Sequence, residues 1–382
     1  MKRVVILCVW LFSVVAGHAQ LSLDECRRLA RENYPEIRQY DLVHQTEQYN
    51  LSNAARAWIP QLAFSAQATW QTDAPNFPKE LTGMLAQQGL EIPGLRKDQY
   101  KVALELNQTI WDGGKSVADK RIARAEAAEQ KTMTDVDLYE LEGRVDDLYF
   151  GILLLDERIA QTNLTLNLLR SNLEKVRALQ RNGVAMQSDA DVLEAELLSV
   201  GQQLIQFESS CDSYRRMLGI FIGQKVGDRK LQRPSAVQPL SGESARPELA
   251  MFAAKIDRLT AQEKMVKSSS MPRLGFFAQG YYGYPGLDYM QSMMNSDWSW
   301  NAMLGVKLSW NFGAYYTQKN NLNKLRTSRQ QVEVQRDVFL FNMNLQAAQE
   351  NGDIARLRKA IADDDRIVAL RRSVREAAES KL

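Results

Sequence analysis

The 382-residue sequence is poor in the side chains that carry out chemistry. It holds two histidines and three cysteines. His18 and Cys8 lie in an N-terminal stretch that reads as a removable leader, so a mature chain keeps only His44, Cys26 and Cys211. One histidine can build neither a His-based catalytic triad nor a multi-histidine metal site. Cys26 and Cys211 are too far apart to form a metal-binding or disulfide spacing, and Cys26 lacks the small apolar residues that precede a lipidation site. Carboxylates are plentiful, but no pocket-forming motif accompanies them. The sequence therefore argues against an enzyme and against a bound cofactor or metal; His44 reads as a surface helix residue.

Long apolar runs are missing as well. Lys2 and Arg3 form a basic start, Val4 to Val15 an apolar stretch, and Ala16-Gly17-His18-Ala19 a small-residue cleavage site, so residues 1–19 read as a secretory signal peptide. The apolar stretch is shorter than the roughly 18 residues a membrane-crossing helix needs, and no later segment reaches that length. Membrane residence would therefore require a β-barrel. Charge of one sign is also lacking: 48 basic residues face 46 acidic ones, and loss of Lys2 and Arg3 leaves them equal. Nothing in this balance points to nucleic acid.

What is present is a repeat. Tyr34-Pro35-Glu36-Ile37 opens a helical stretch closed by Trp58-Ile59-Pro60-Gln61-Leu62, and Arg246-Pro247-Glu248-Leu249 opens one closed by Ser270-Met271-Pro272-Arg273-Leu274. In both copies 25 positions separate the prolines. Tyr100 through Gly114 matches Trp300 through Ala314 at a shift of 200, against 212 for Pro60 and Pro272. One intervening loop is thus 12 residues shorter in the second copy. After each second proline the pattern alternates. Leu62, Phe64, Ala66, Ala68 and Trp70 point one way, as do Val102, Leu104, Leu106 and Ile110. The second copy repeats this in Leu274, Phe276 and Ala278 and in Leu304, Val306, Leu308 and Trp310. Two strand hairpins follow, at about 61–111 and 273–311. Pro60 and Pro272 stop the incoming helix and start the strand. Gly113-Gly114, and Gly313 in the second copy, turn strand into helix.

Two helical seams carry a three-and-four spacing. One runs from Leu138 through Val145, Ile152, Ile159 and Leu166 to Val176, the other from Leu193 through Val200 and Cys211 to Leu218. Asn182-Gly183 punctuates them as a helix end. The expected organisation is a first repeat at 20–224 with a long helical hairpin at about 115–222, a linker at 225–245, and a second repeat at 246–382 whose helix rises from about 314. Matching Ile361 to Ile159 places Leu382 opposite Gln180, just before the Asn182-Gly183 tip. The repeat therefore predicts that the natural chain continues by about 40 residues or more.

Aromatic residues flank the alternating strands: Phe64, Trp111, Phe276 and Trp310 are expected at one level, and Trp70, Tyr100, Tyr281, Tyr282 and Trp300 at the other. An outer-membrane barrel requires such belts. Four strands cannot close one alone, so self-association is expected to remove the open edges.

These features, with the Ile110-Trp111-Asp112-Gly113-Gly114 turn and the tip followed by Ser188-Asp189-Ala190-Asp191-Val192-Leu193-Glu194-Ala195-Glu196, resemble the TolC-like outer-membrane efflux proteins across Leu21 to Leu382. Asn311-Phe312-Gly313-Ala314 departs from the Asp-Gly-Gly pattern. The resemblance implies an α+β fold in which a long antiparallel coiled-coil tunnel carries a four-strand share of a trimeric, 12-stranded barrel. It implies a homotrimer seated in outer-membrane lipid, with the helical part in the periplasm. The trimer would passively conduct substrates delivered by a periplasmic adaptor and an inner-membrane transporter, in a tripartite efflux pump or a type I secretion system. It further implies adaptor contact at the tip and a pore aperture at Asp191 and Glu194, for which solvated helix residues are the plain alternative. A periplasmic coiled-coil adaptor or a structural fibre are the other classes the helices permit.

Overall fold

A computed structural model describes residues 20–90, 92–235 and 245–379. The signal-peptide reading of 1–19 and residues 236–244 of the expected linker lie outside them. In chain order the elements are α1 (Leu23–Asn33), a 3-10 turn (Pro35–Arg38), α2 (Gln39–Arg56), β1 (Gln61–Trp70), α3 (Lys79–Gln87), β2 (Asp98–Trp111), α4 (Lys115–Arg181) and α5 (Gln187–Ile222). After these come α6 (Pro247–Ser268), β3 (Arg273–Tyr284), α7 (Tyr289–Met294), β4 (Ser299–Ser309) and α8 (Ala314–Glu379). Among the described residues no helix is long and apolar enough to cross a membrane. The chain divides into two compact units: residues up to Gln45 with 130–251, and 46–129 with 252–382.

The first unit is helical. Ser22 caps α1 by accepting from the Glu25 N–H at 3.2 Å, and Tyr34, held extended ahead of Pro35, ends it. The seams read from the sequence are buried beside α1, where Leu138, Leu141, Val145 and Ile152 of α4 pack with Cys211, Leu218 and Ile222 of α5 and with Cys26 and Ala30 of α1, and are only half-buried toward the tip at Val176 and Leu193. Burial of each large aliphatic contributes about 1.5–3 kcal/mol. At the centre Tyr149 is fully enclosed, with its hydroxyl 2.7 Å from the Leu21 carbonyl and 2.5 Å from that of Gln232. It clamps the isolated parallel bridge between Leu21 and Leu231. Residues 225–235, expected as linker, thus supply Val226 and Leu231 to this core. Arg27 binds Asp146, and Arg31 reaches Glu142 at 3.4 Å and Asp135 at 3.7 Å, fastening α1 along α4.

The second unit holds one antiparallel sheet in the order β1-β2-β3-β4. Its edges are β1 and β4. Leu106 stands opposite Leu62 and Leu308 opposite Leu274, so the hairpin partners correspond at a shift of 202 rather than 200. A β-bulge between Thr109 and Trp111 breaks the β2–β3 register. In the same unit Phe252 of α6 meets Phe339 of α8 at 5.9 Å, and Arg329 reaches Glu263 at 3.3 Å.

Candidate functional site

The sheet has two chemically different faces, because successive side chains of a strand point oppositely. On one face the paired rows join Phe64 to Leu104, Ala66 to Val102 and Tyr282, Ala278 to Leu106 and Leu304, and Phe276 to Val306. This face is exposed: Phe64 is 73%, Leu304 75% and Trp300 82% accessible. A contiguous apolar sheet left in water on this scale marks contact with lipid or another chain. The opposite face is polar. There Lys101 donates to Gln279 at 3.0 Å, Gln279 donates in turn to Glu105, and the Lys101 ammonium lies 4.5 Å from the centre of the Tyr281 ring.

The aromatic residues expected in two belts fall at three levels of the sheet. Tyr100, Tyr282 and Trp300 gather on the apolar face at one end, where Tyr282 meets Trp300 at 5.0 Å, and Trp70, opposite Asp98, stands beyond them. Trp111, opposite Leu274, and Phe276 occupy the other end, with Trp310 just past β4. Two placements differ from expectation. Phe64, opposite Leu104, lies at mid-strand, because β2 extends four residues past its pairing with β1. Tyr281 pairs with Ala103 and Asn301 on the polar face, as it must when its neighbour Tyr282 faces the other way. Trp298, which precedes β4 and was not singled out from the sequence, completes the first cluster. It stacks on Tyr100 at 5.7 Å and lies 5.4 Å from Tyr282.

At the junctions, Pro60 and Pro272 each stand immediately before a strand, four residues after the helices end at Arg56 and Ser268. Asp112 opens α4: its carboxylate accepts from the Gly114 N–H at 2.9 Å, from the Ser116 N–H at 2.6 Å and from the Ser116 hydroxyl. Burial opposes its ionisation, but these bonds outweigh burial and hold the carboxyl below its usual range. Gly113 and Gly114 adopt φ of 70° and 85°. In the second copy Asn311 takes the place of Asp112, accepting from the Gly313 N–H at 3.1 Å. The junctions therefore correspond at a shift of 199, and Gly313 uses no left-handed backbone.

The tip is a helix stop of defined geometry. Gly183, at φ 76°, donates to Gln180 at 2.9 Å, and Val184 donates to Leu179 at 2.9 Å, satisfying the last carbonyls of α4. Asn182 occupies the preceding cap position. Asp189 reaches back to the Met186 N–H at 2.9 Å and starts α5. Asp191 and Glu194 are exposed but not idle: Asp191 accepts from Gln187 at 2.7 Å, and Glu194 pairs with Arg177 across the hairpin at 2.6 Å.

No group of His, Cys, Asp or Glu among the described residues is placed to hold a metal ion. Burial, aided by Glu25, pushes the Cys26 thiol up to about 12, and burial also raises Cys211. Both are packing residues rather than nucleophiles.

A model of the outer membrane efflux protein family matches residues 27–223, just over half of the chain. No curated protein matches it in sequence. Solved structures do. The outer membrane protein VceC of Vibrio cholerae is 15% identical with a TM-score of 0.60, over 84% of this chain and 75% of that one. The Campylobacter jejuni CmeC outer membrane channel is 14% identical with a TM-score of 0.56, over 84% and 68%. The Neisseria gonorrhoeae MtrE outer membrane channel, in its open state, is 15% identical with a TM-score of 0.53, over 82% and 68%. At these identities the structures speak for the fold, and the family match, joined to the two-faced sheet and long helical hairpin, carries the assignment: the chain belongs to the outer membrane efflux protein family, as a channel protein of the outer membrane and not an enzyme.

Proposed function

We propose that three copies of the chain close one twelve-stranded barrel in the outer membrane, and that this trimer is the passive exit duct of a tripartite efflux pump or a type I secretion system. The observation that carries the reading is the sheet itself: four strands with both edges open, one face apolar and exposed, the other polar. In lipid, unpaired backbone groups at an edge cost several kcal/mol each, so β4 of one copy pairs with β1 of the next until the ring closes. The polar face then lines a water-filled lumen. The aromatic clusters at the two strand ends sit at the two membrane interfaces. A periplasmic adaptor has no use for the apolar face.

On this reading the chain is two copies of a helix, hairpin and helix, exported behind residues 1–19. Substrates come from an inner-membrane transporter through an adaptor that engages the tip, where Val184, Met186 and Val192 are left in solvent. Asp191 and Glu194 border the aperture. Fractionating cell envelopes without detergent tests the proposal: the channel stays with the outer membrane. Recovery in the soluble periplasm would sink it.

A further inference from the structure

The polar face of the sheet is unevenly charged. Its charged residues along the four strands are Lys101, Glu105, Arg273 and Lys307, three cations against one anion. Lys101 and Glu105 are bridged through Gln279 and so offset each other. Arg273 and Lys307 make no side-chain hydrogen bond or ion pair among the described residues. They are diagonal neighbours on adjacent strands, since Arg273 stands opposite Ser309 and Lys307 opposite Gly275. At that diagonal spacing of about 7 Å the two exposed like charges do not pair with each other.

The surroundings keep this charge available. Arg273, Gly275 and Lys307 line one cavity of about 590 Å³, and Gly275 has no side chain to fill the row between Lys307 and Thr109. Two carboxylates border the cavity. Glu105 is held by Gln279, and Asp112 is turned to the N–H groups and hydroxyl that start α4. Closing the barrel does not neutralise the pair either. The strand that would abut β4 is β1 of the next copy, whose polar face consists of Gln61, Ala63, Ser65, Gln67 and Thr69. None of these is a carboxylate.

We infer that Arg273 and Lys307 form an anion-attracting ring inside the barrel, so that this segment of the duct favours anionic solutes, carboxylates and phosphates among them, over cations. The inference rests on the barrel reading above. With two cations per copy that pair with no carboxylate among the described residues, a trimer places six on one level of the lumen wall, although the chain as a whole is nearly neutral. Rings of charged side chains set ion selectivity in pores.

The test uses the whole protein in planar lipid bilayers under a potassium chloride gradient. Arg273→Gln with Lys307→Gln is expected to lower the chloride-to-potassium permeability ratio by about twofold or more, and Arg273→Glu with Lys307→Glu to lower it further. Lys307→Gln alone, at an exposed position, gives a smaller shift of the same sign and serves if the double variants fail to assemble. Conducting variants that keep the wild-type reversal potential would overturn the inference and leave the channel reading standing. A wild-type protein that inserts and never conducts would overturn both.

Discussion

Gly113 approaches Met271 so closely that a Cβ on residue 113 would lie 2.7 Å from the Met271 Cβ and 3.2 Å from the Pro272 carbonyl oxygen. The turn that leaves β2 and the turn that enters β3 are therefore packed against each other. Because Gly113 also sits at φ 70°, Gly113→Ala meets two penalties: roughly 1–2 kcal/mol for the left-handed backbone and about 1–3 kcal/mol for overpacking. Gly313→Ala faces only the flexible Asn311 side chain, at 3.2 Å and at an ordinary φ. Heat-dissociation of the detergent-solubilised assembly is expected to drop several degrees for the first variant and little for the second. Equal drops would contradict the junction geometry.

Asp112 makes the same junction sensitive to acid. Its folded carboxyl is depressed below the unfolded value near 4. The stabilisation is therefore complete above that value and is lost as pH falls through the lower, folded one. Asp112→Asn keeps an acceptor, as Asn311 does in the second copy, and removes this titration. Asp112→Ala loses the cap at a cost of about 0.5–2 kcal/mol. Melting curves from pH 7 down to pH 3 should converge for wild type and Asp112→Asn at the acid end. Parallel curves would show that Asp112 does not titrate as described.

Much of this architecture is legible in the residues, and the exceptions have physical causes. Pro60 and Pro272 announce helix-to-strand changes because a proline cannot continue either pattern on its N–H side. The seam from Leu138 to Val176 is legible because a helix must bury one stripe. Hydrogen-bond register is harder to read. From Leu106 to Asp112 the first copy spends six residues where the second spends three from Leu308 to Asn311, and the bulge between Thr109 and Trp111 accounts for only one of the three extra, so the hairpins correspond at 202 and the junctions at 199, and a single match at 200 reports neither. The level of Phe64 depends on how far β2 outruns β1, which no local pattern reports. The face of Tyr281 was available from strict alternation with Tyr282, but two adjacent aromatics hide it when composition is read in place of parity. Trp298 shares the parity of Trp300 but lies before the alternating run begins.

The two faces give a direct comparison. Arg placed at Leu104, mid-strand on the apolar face, is expected to cost roughly 2–4 kcal/mol at the bilayer midplane, and Arg at Val306, level with Phe276 nearer the strand end, somewhat less; Arg at Asn107 enters a wet lumen, and Arg at Ser309 adds only the smaller repulsion of Arg273 opposite it. Assembly into an SDS-resistant, outer-membrane trimer should fail or fall sharply for the first pair and persist for the second. Equal loss at all four positions would mean that the faces are reversed or that the sheet does not meet lipid.

At the tip, the ion pair between Arg177 and Glu194 changes what an aperture experiment should show. Glu194 is balanced by Arg177 at 2.6 Å, with both side chains about half exposed, so the pair contributes only about 0.2–1 kcal/mol and its removal leaves the hairpin folded. Asp191, held by neutral Gln187, is the carboxylate with uncompensated charge. Asp191→Asn therefore removes one negative charge per copy. Glu194→Gln has the same sign by another route, because it leaves the Arg177 cation without its counter-charge. Arg177→Gln exposes Glu194 and acts oppositely. In planar bilayers the first two substitutions are expected to move the reversal potential toward anion preference and the third toward cation preference, with conductance altered in all three. Identical current–voltage curves for wild type and all three variants would return Asp191 and Glu194 to the role of solvated helix residues and place the narrowest part of the duct elsewhere.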